Sequence, residues 1–212
     1  MASVHNYQYV TDPLKFKGIL WPHVDFYDKE IDIIYSVHDN DETVCVAGNM
    51  LGKDFTAAFI VLWFFLTRSP CRIVTTSVDA MQLEGVLWGE IRRFIQLAKY
   101  PLSHEQGGPL IINHLHLRKM NPRTKVVDGL SYCLGRVAKK GEGMLGHHVA
   151  RPVPDDGIPR TLFVADEASG VDDVSYERAE TWANRILVIG NPYECQNFFR
   201  RAVDGGDILA KT

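Results

Sequence analysis

Lys53 closes the run Ala47-Gly-Asn-Met-Leu-Gly-Lys-Asp54, which leaves a β-branched stretch and enters an apolar helix. A strand-to-helix junction of this kind turns successive backbone N–H groups and a helix N-terminus toward an anion. The spacing follows the G-x-x-x-x-G-K-[S/T] form, with Ala47 at the first glycine position and Asp54 at the hydroxyl position. Gly48, Asn49, Met50, Leu51, Gly52, Lys53 and Asp54 are therefore the candidate contacts to nucleotide phosphates. Gly52 would allow the close approach, and Lys53 would bridge the β- and γ-phosphates. Read alone, the same residues also suit an ordinary turn with a surface lysine. A second junction, Leu162-Phe-Val-Ala-Asp166-Glu167, is a buried strand ending in two carboxylates, where parallel sheets bind ligands. Asp166 would hold Mg²⁺ and Glu167 would orient and deprotonate an attacking water. The competing reading is an acidic pair favoured by a helix dipole. Ile189-Gly-Asn-Pro192 ends another strand, and the Asn191 amide there could sense a γ-phosphate, although Gly, Asn and Pro also dominate plain turns. In Thr75-Thr-Ser-Val-Asp-Ala-Met-Gln82, Ser77 and Asp79 are expected to cap the helix that follows.

The elements that must position these residues alternate. Thr43 to Val46, Cys71 to Thr76, Thr161 to Ala165 and Arg185 to Ile189 are short buried strands. Between them lie a helix apolar almost all round, Phe55 to Leu66, and a longer one from Asp79 to Lys99 with a single apolar face. A further helix is expected near Ser175 to Ala183. This order predicts an α/β fold with right-handed crossovers, a mostly parallel sheet and helices on both faces. Leu110 to Leu117 and Gly129 to Val137 alternate, which predicts an inserted antiparallel hairpin within about 101–158. Gly141 to Asp156 reads as a surface loop. Residues 1–42 read as an extended, aromatic-rich lead (Tyr7, Tyr9, Phe16, Trp21) and a helix from Asp25 to Val37. Residues 43–203 form the core, and 204–212 a tail.

Taken in order, the loop lysine, the Thr-rich junction with Gln82, the Asp-Glu pair and Gly-Asn-Pro resemble the ATPase domain of bacteriophage terminase large subunits, a catalytic-glutamate class of P-loop NTPase. Further echoes are Val86-Leu-Trp-Gly-Glu-Ile-Arg-Arg93, Gly146-His-His148, Asp166-Glu-Ala-Ser-Gly-Val171 and Phe198-Phe199, so the likeness spans residues 20 to 203. The resemblance implies ATP hydrolysis with Mg²⁺, coupled to translocation of double-stranded DNA into a procapsid. It implies Glu167, Lys53 and Asn191 as catalytic residues and Asp166 with Asp54 as the metal side. It further implies the portal protein and small terminase subunit as partners, a homo-oligomeric ring on DNA, and the host cytoplasm as location. Three departures accompany it. Asp54 replaces Ser/Thr; a carboxylate can ligate Mg²⁺ but adds repulsion against a polyphosphate, on the order of 1 to 4 kcal/mol at 4 Å. No glutamine stands near Tyr27 and Asp28, where an adenine contact is expected. The family's C-terminal nuclease domain is not expected within these 212 residues. Two other readings remain: a nucleotide- or DNA-binding module of the same fold that has lost hydrolysis, and a helicase-like translocase, which would require a second RecA-like domain.

Composition narrows the field. With 46% hydrophobic residues and 23 Lys+Arg against 26 Asp+Glu, the chain is neither disordered nor strongly basic. No apolar run reaches the length of a membrane span, and no charged-then-apolar leader opens the chain. Cys45, Cys71, Cys133 and Cys195 read as reduced thiols. Charge is uneven: Arg118, Lys119, Arg123, Lys125, Arg136, Lys139 and Lys140 face only Asp128, a candidate phosphate-tracking surface or a solvated hairpin. From Asp155 to Glu180 the balance is acidic. His147 and His148 read as loop-positioning residues, and His114 and His116 as neighbours on one strand face. Arg136, Arg151 and Arg200 are candidate arginine fingers. Trp63, Phe64 and Phe65 belong to the core.

Overall fold

The computed structural model describes residues 10–48, 51–137, 143–149, 156–191 and 194–205. Its centre is one seven-stranded sheet in the order β1-β7-β6-β2-β5-β4-β3. The strands are β1 (Glu42–Val46), β2 (Arg72–Ser77), β3 (Leu110–Asn113), β4 (His116–Met120), β5 (Val127–Val137), β6 (Thr161–Ala165) and β7 (Arg185–Gly190). The first five in spatial order run parallel, and β4 is antiparallel to both its neighbours, β5 and β3.

The helices are α1 (Pro13–Leu20), α2 (Asp28–Asp39), α3 (Lys53–Thr67), α4 (Ala80–Gln82), α5 (Trp88–Leu97), α6 (Asp173–Glu180) and α7 (Phe198–Gly205). Strand residues sort by parity into two cores. Ile73, Leu162, Val164, Leu187 and Ile189 pack with α1, α2, α3 and α5 on one face. Val74, Phe163, Ala165, Ile186 and Val188 pack with α6 and α7 on the other. That alternation is the period-2 consequence of a sheet covered on both sides. α3 is buried along nearly its whole length, which explains why its sequence carries no polar face. α4 runs through one π-helical stretch, Leu83–Leu87, into α5. There the Arg92 guanidinium donates to the Glu84 carbonyl at 2.8 Å, as expected where a helix leaves its regular ladder.

Several expectations need correction. Of the expected extended lead, Tyr7 and Tyr9 lie outside the described residues, while the part around Phe16 is helical: α1 forms because Asp12 caps it through the Lys15 N–H (2.7 Å) with Pro13 in its first turn. Trp21 then ties it to the core, donating to the Phe94 carbonyl (2.7 Å) and standing edge-on to Phe16, Phe59 and Phe94. α2 begins three residues later than Asp25, where Glu30 reaches back to the Tyr27 N–H (3.1 Å). The antiparallel strands of the middle segment are present, and β5 does more than complete a hairpin, since it lies parallel to β2 inside the main sheet. His114 is in the turn after β3, paired with Glu84 at 3.0 Å, rather than beside His116 on a strand. Lys119 does not face outward: its ammonium bonds the Arg68 carbonyl and lies 4.7 Å from the Phe65 ring. Only Arg123, Lys125 and Arg136 of the basic stretch are exposed among the described residues, and Lys139 and Lys140 lie outside them.

Other readings hold. Trp63, Phe64 and Phe65 are fully buried, and Cys45, Cys71 and Cys133 are buried free thiols. His147 positions its loop by bonding Tyr132 Oη (2.7 Å) and the Gly143 carbonyl (2.8 Å) and packing against Trp182. Among the described residues, no helix is long and apolar enough to cross a membrane.

Candidate active site

Strand order explains the convergence of residues far apart in sequence. β7 lies between β1, which feeds the loop to Lys53, and β6, which ends in Asp166-Glu167. Asn191, one residue past β7, therefore falls between Lys53 and Glu167. Lys53 Nζ donates to Glu167 Oε1 at 2.7 Å and to Asn191 Oδ1 at 3.2 Å. Asn191 Nδ2 donates to Glu167 Oε2 at 3.2 Å. Lys53 and Asn191 are each only 4% exposed, while the Glu167 side chain is 19% exposed, so the carboxylate is the member of the triad that solvent reaches. All three residues assigned catalytic roles from sequence meet at the carboxyl edge of the sheet.

The local backbone is built for the purpose. Gly52 caps α3 with φ of 74°, and a Cβ there would stand 2.2 Å from Glu30 Oε1. Both the left-handed backbone and the missing side chain are required, so Gly52→Ala should cost at least about 1 kcal/mol from the backbone alone. Thermal denaturation of that variant checks it. Glu167 itself has φ of 49°, a left-handed conformation that a non-glycine residue adopts at a cost of order 1–3 kcal/mol. The turn Ala168–Gly170 that follows is held by Asn197 Nδ2, which donates to the carbonyls of Ala168 (2.7 Å) and Val171 (2.7 Å). Gly190 is packed so closely that a Cβ would meet Phe199 at 2.7 Å, which seats the strand end preceding Asn191.

Asp54 and Asp166 lie against each other beside this triad. Asp166 is 1% exposed; its Oδ1 accepts from the Glu167 N–H (2.9 Å), while Oδ2 has no donor among the described residues. Burial first, then the neighbouring Asp54 and Glu167, pushes the Asp166 carboxyl up to about 8; Lys53 opposes the shift. Asp54 is also raised, again chiefly by burial. The folded state thus keeps protons that the unfolded chain loses near pH ~4. Stability contributed by this pair is present at low pH and declines as pH rises from about 4 to about 8. With a chelator present, melting temperatures of wild type and Asp166→Asn should diverge over that window, with wild type losing more.

These three carboxylates face one ammonium among the described residues, so the point can take up a further cation. The orphaned Asp166 Oδ2 and Asp54 Oδ1, both hard oxygen donors, fit Mg²⁺. Among the described residues no group of three or more His, Cys, Asp or Glu side chains is arranged to hold a metal, so other oxygens, water among them, would complete the shell.

Of the remaining predicted loop contacts, Gly48 and Leu51 are described, while Asn49 and Met50 lie outside the described residues. Asp79 caps α4 through the Gln82 N–H (2.8 Å), but Ser77 does not; it ends β2, fully buried. Arg200 is paired with Asp204 (2.8 Å), Arg136 is exposed on β5, and Arg151 and Pro192 lie outside the described residues. Sequence reading missed Glu30, buried against Gly52, and Tyr27, whose hydroxyl donates to the Leu51 carbonyl at 2.5 Å. The one local signal for Glu30 was its place three residues after Tyr27, the N-cap.

No protein-family sequence profile and no curated protein sequence matches this chain. Solved structures do. The Thermus phage P74-26 large terminase ATPase domain superposes with a TM-score of 0.58 at 15% identity, over 88% of this chain and 72% of that one. The large terminase of a second, thermophilic bacteriophage does so with a TM-score of 0.59 at 14% identity, over 88% of this chain and 45% of its own. The same terminase in complex with ADP gives 0.52 at 14% identity, over 78% of this chain and 38% of that one. The chain thus spans less than half the length of that second terminase. At these identities the likeness speaks to architecture: the chain has the fold of a phage large-terminase ATPase domain.

Proposed function

We propose that this chain hydrolyses ATP and, within a larger assembly, couples the reaction to translocation of double-stranded DNA, as a terminase-type packaging motor. The observation that carries the reading is the hydrogen-bonded Lys53–Glu167–Asn191 triad at the junction of three strands. The amides of residues 48–54 would cradle the phosphates and Lys53 would turn to the β- and γ-oxygens. In doing so Lys53 leaves Glu167 Oε1, which then accepts a proton from the attacking water. Asn191, bonded to both partners, reports that exchange to β7. Asp166 and Asp54 would hold Mg²⁺, which when bound neutralises the developing phosphate charge. DNA, a portal protein, a small terminase subunit and ring assembly are proposed as partners and organisation on the strength of the fold alone.

Asp54 favours a second reading, a module that binds nucleotide or DNA without turnover, because its carboxylate sits where a neutral hydroxyl is expected. DNA-stimulated phosphate release separates the two. Turnover supports the motor, and Mg²⁺-dependent nucleotide binding without turnover supports the module.

A further inference from the structure

We propose that Ser77, Asp54 and Asp166 form a cation cradle that takes up a divalent metal ion before any nucleotide arrives. The inference rests on the assignment of Asp166 as a metal ligand. Ser77 is the last residue of β2, and the β2–β6 register pairs Thr76 with Ala165. The ladder continues through the Asp166 N–H to the Thr76 carbonyl at 2.9 Å. Ser77 and Asp166 are therefore side by side on adjacent strands. Strand parity puts both on the face covered by α3, since Ile73 of β2 and Leu162 and Val164 of β6 belong to that core. Asp54, in the first turn of α3, lies against Asp166.

Ser77 Oγ has no partner among the described residues, and Asp166 Oδ2 and Asp54 Oδ1 have no donor there, their carboxyls facing each other. Ser77 is 0% exposed and Asp166 1%. Two buried carboxyls in contact need a proton or a cation between them, and the unpartnered Ser77 hydroxyl beside Asp166 offers a third oxygen that a cation can use and a shared proton does not need. All the donors are hard oxygens, which selects Mg²⁺ or Mn²⁺ over zinc or copper. Two carboxylates and a hydroxyl leave half of an octahedral shell to water, the partial hydration Mg²⁺ prefers.

A loop with a neutral hydroxyl at position 54 would bring one formal protein charge to the ion and depend on phosphate for the rest. With Asp54 the protein brings two, so the ion can be held by the chain alone. The repulsion between Asp54 and an incoming polyphosphate is then offset, because the cation already lies between them.

The test is Mn²⁺ titrated into the nucleotide-free full chain, with free ion followed by electron paramagnetic resonance. The expected result is one Mn²⁺ per chain, displaced by Mg²⁺. Binding should weaken roughly tenfold or more in Asp54→Asn and measurably in Ser77→Ala, with circular dichroism confirming that both variants fold. No Mn²⁺ binding by wild type, or equal binding by folded Asp54→Asn, would overturn the cradle. If the chain binds Mn²⁺ in this way yet never binds ATP, the cradle stands and the nucleotide assignment fails. Binding of MgATP without uptake of free Mn²⁺ does the reverse, overturning the cradle and keeping the nucleotide site.

Discussion

Glu167→Gln should slow ATP turnover by about 10²–10⁴-fold while leaving nucleotide binding in place. The substitution keeps the volume of the side chain and its acceptor oxygen, so a bond to Lys53 or Asn191 survives in place of those made to Glu167 at 2.7 and 3.2 Å. What it removes is the ability to take a proton from water. General-base roles of this kind are worth about 10²–10⁴-fold in rate, and a loss in that range, read as single-turnover phosphate release, is expected. The affinity for ATP should change little, because no phosphate contact is assigned to the Glu167 carboxylate. A variant that turns over as fast as wild type would remove Glu167 from the chemistry.

Lys53→Ala should behave differently, failing at binding. Among the described residues, Lys53 is the cation that faces Asp54, Asp166 and Glu167, and its loss removes both the proposed contact to the phosphates and the charge that offsets those carboxylates. A charge-assisted hydrogen bond of this type is worth about 1.5–3 kcal/mol, which translates to roughly a 10- to 150-fold weaker affinity for ATP. The structural cost accompanies it. Glu167 is held in a left-handed conformation partly by this ion pair, so the nucleotide-free variant should also melt at a lower temperature. Isothermal titration and thermal denaturation separate the two effects. Unchanged ATP affinity in a folded Lys53→Ala protein would contradict the loop assignment.

Much of this site is legible in the chain itself. Of the four core strands, β2, β6 and β7 declare themselves as apolar runs buried on both faces; Asp166, Glu167 and Asn191 stand just beyond two of them, and Lys53 follows the loop that leaves β1. Their mutual contacts were not legible, because they depend on β7 inserting between β1 and β6, a nonlocal pairing that no local pattern encodes. Ser77 illustrates the same limit. Beside Asp79 it looks like a helix cap, and only its register against Ala165 and Asp166 shows it as a buried strand end. α1 was obscured for a different reason: its Asp12-Pro13 start signal is sound, but the aromatic residues around it read as an extended segment. β5 alternates like a hairpin strand because one of its neighbours is antiparallel, yet its other neighbour is the parallel β2.

Whether the junction of β1, β6 and β7 hydrolyses nucleotide is decided by ATP binding and phosphate release of the wild-type chain, measured with and without Mg²⁺. The expected outcome is Mg²⁺-dependent binding of one ATP per chain and release of phosphate that slows by about 10²–10⁴-fold in Glu167→Gln. A folded chain that binds no ATP with or without Mg²⁺ would contradict the assignment of this junction as a nucleotide site.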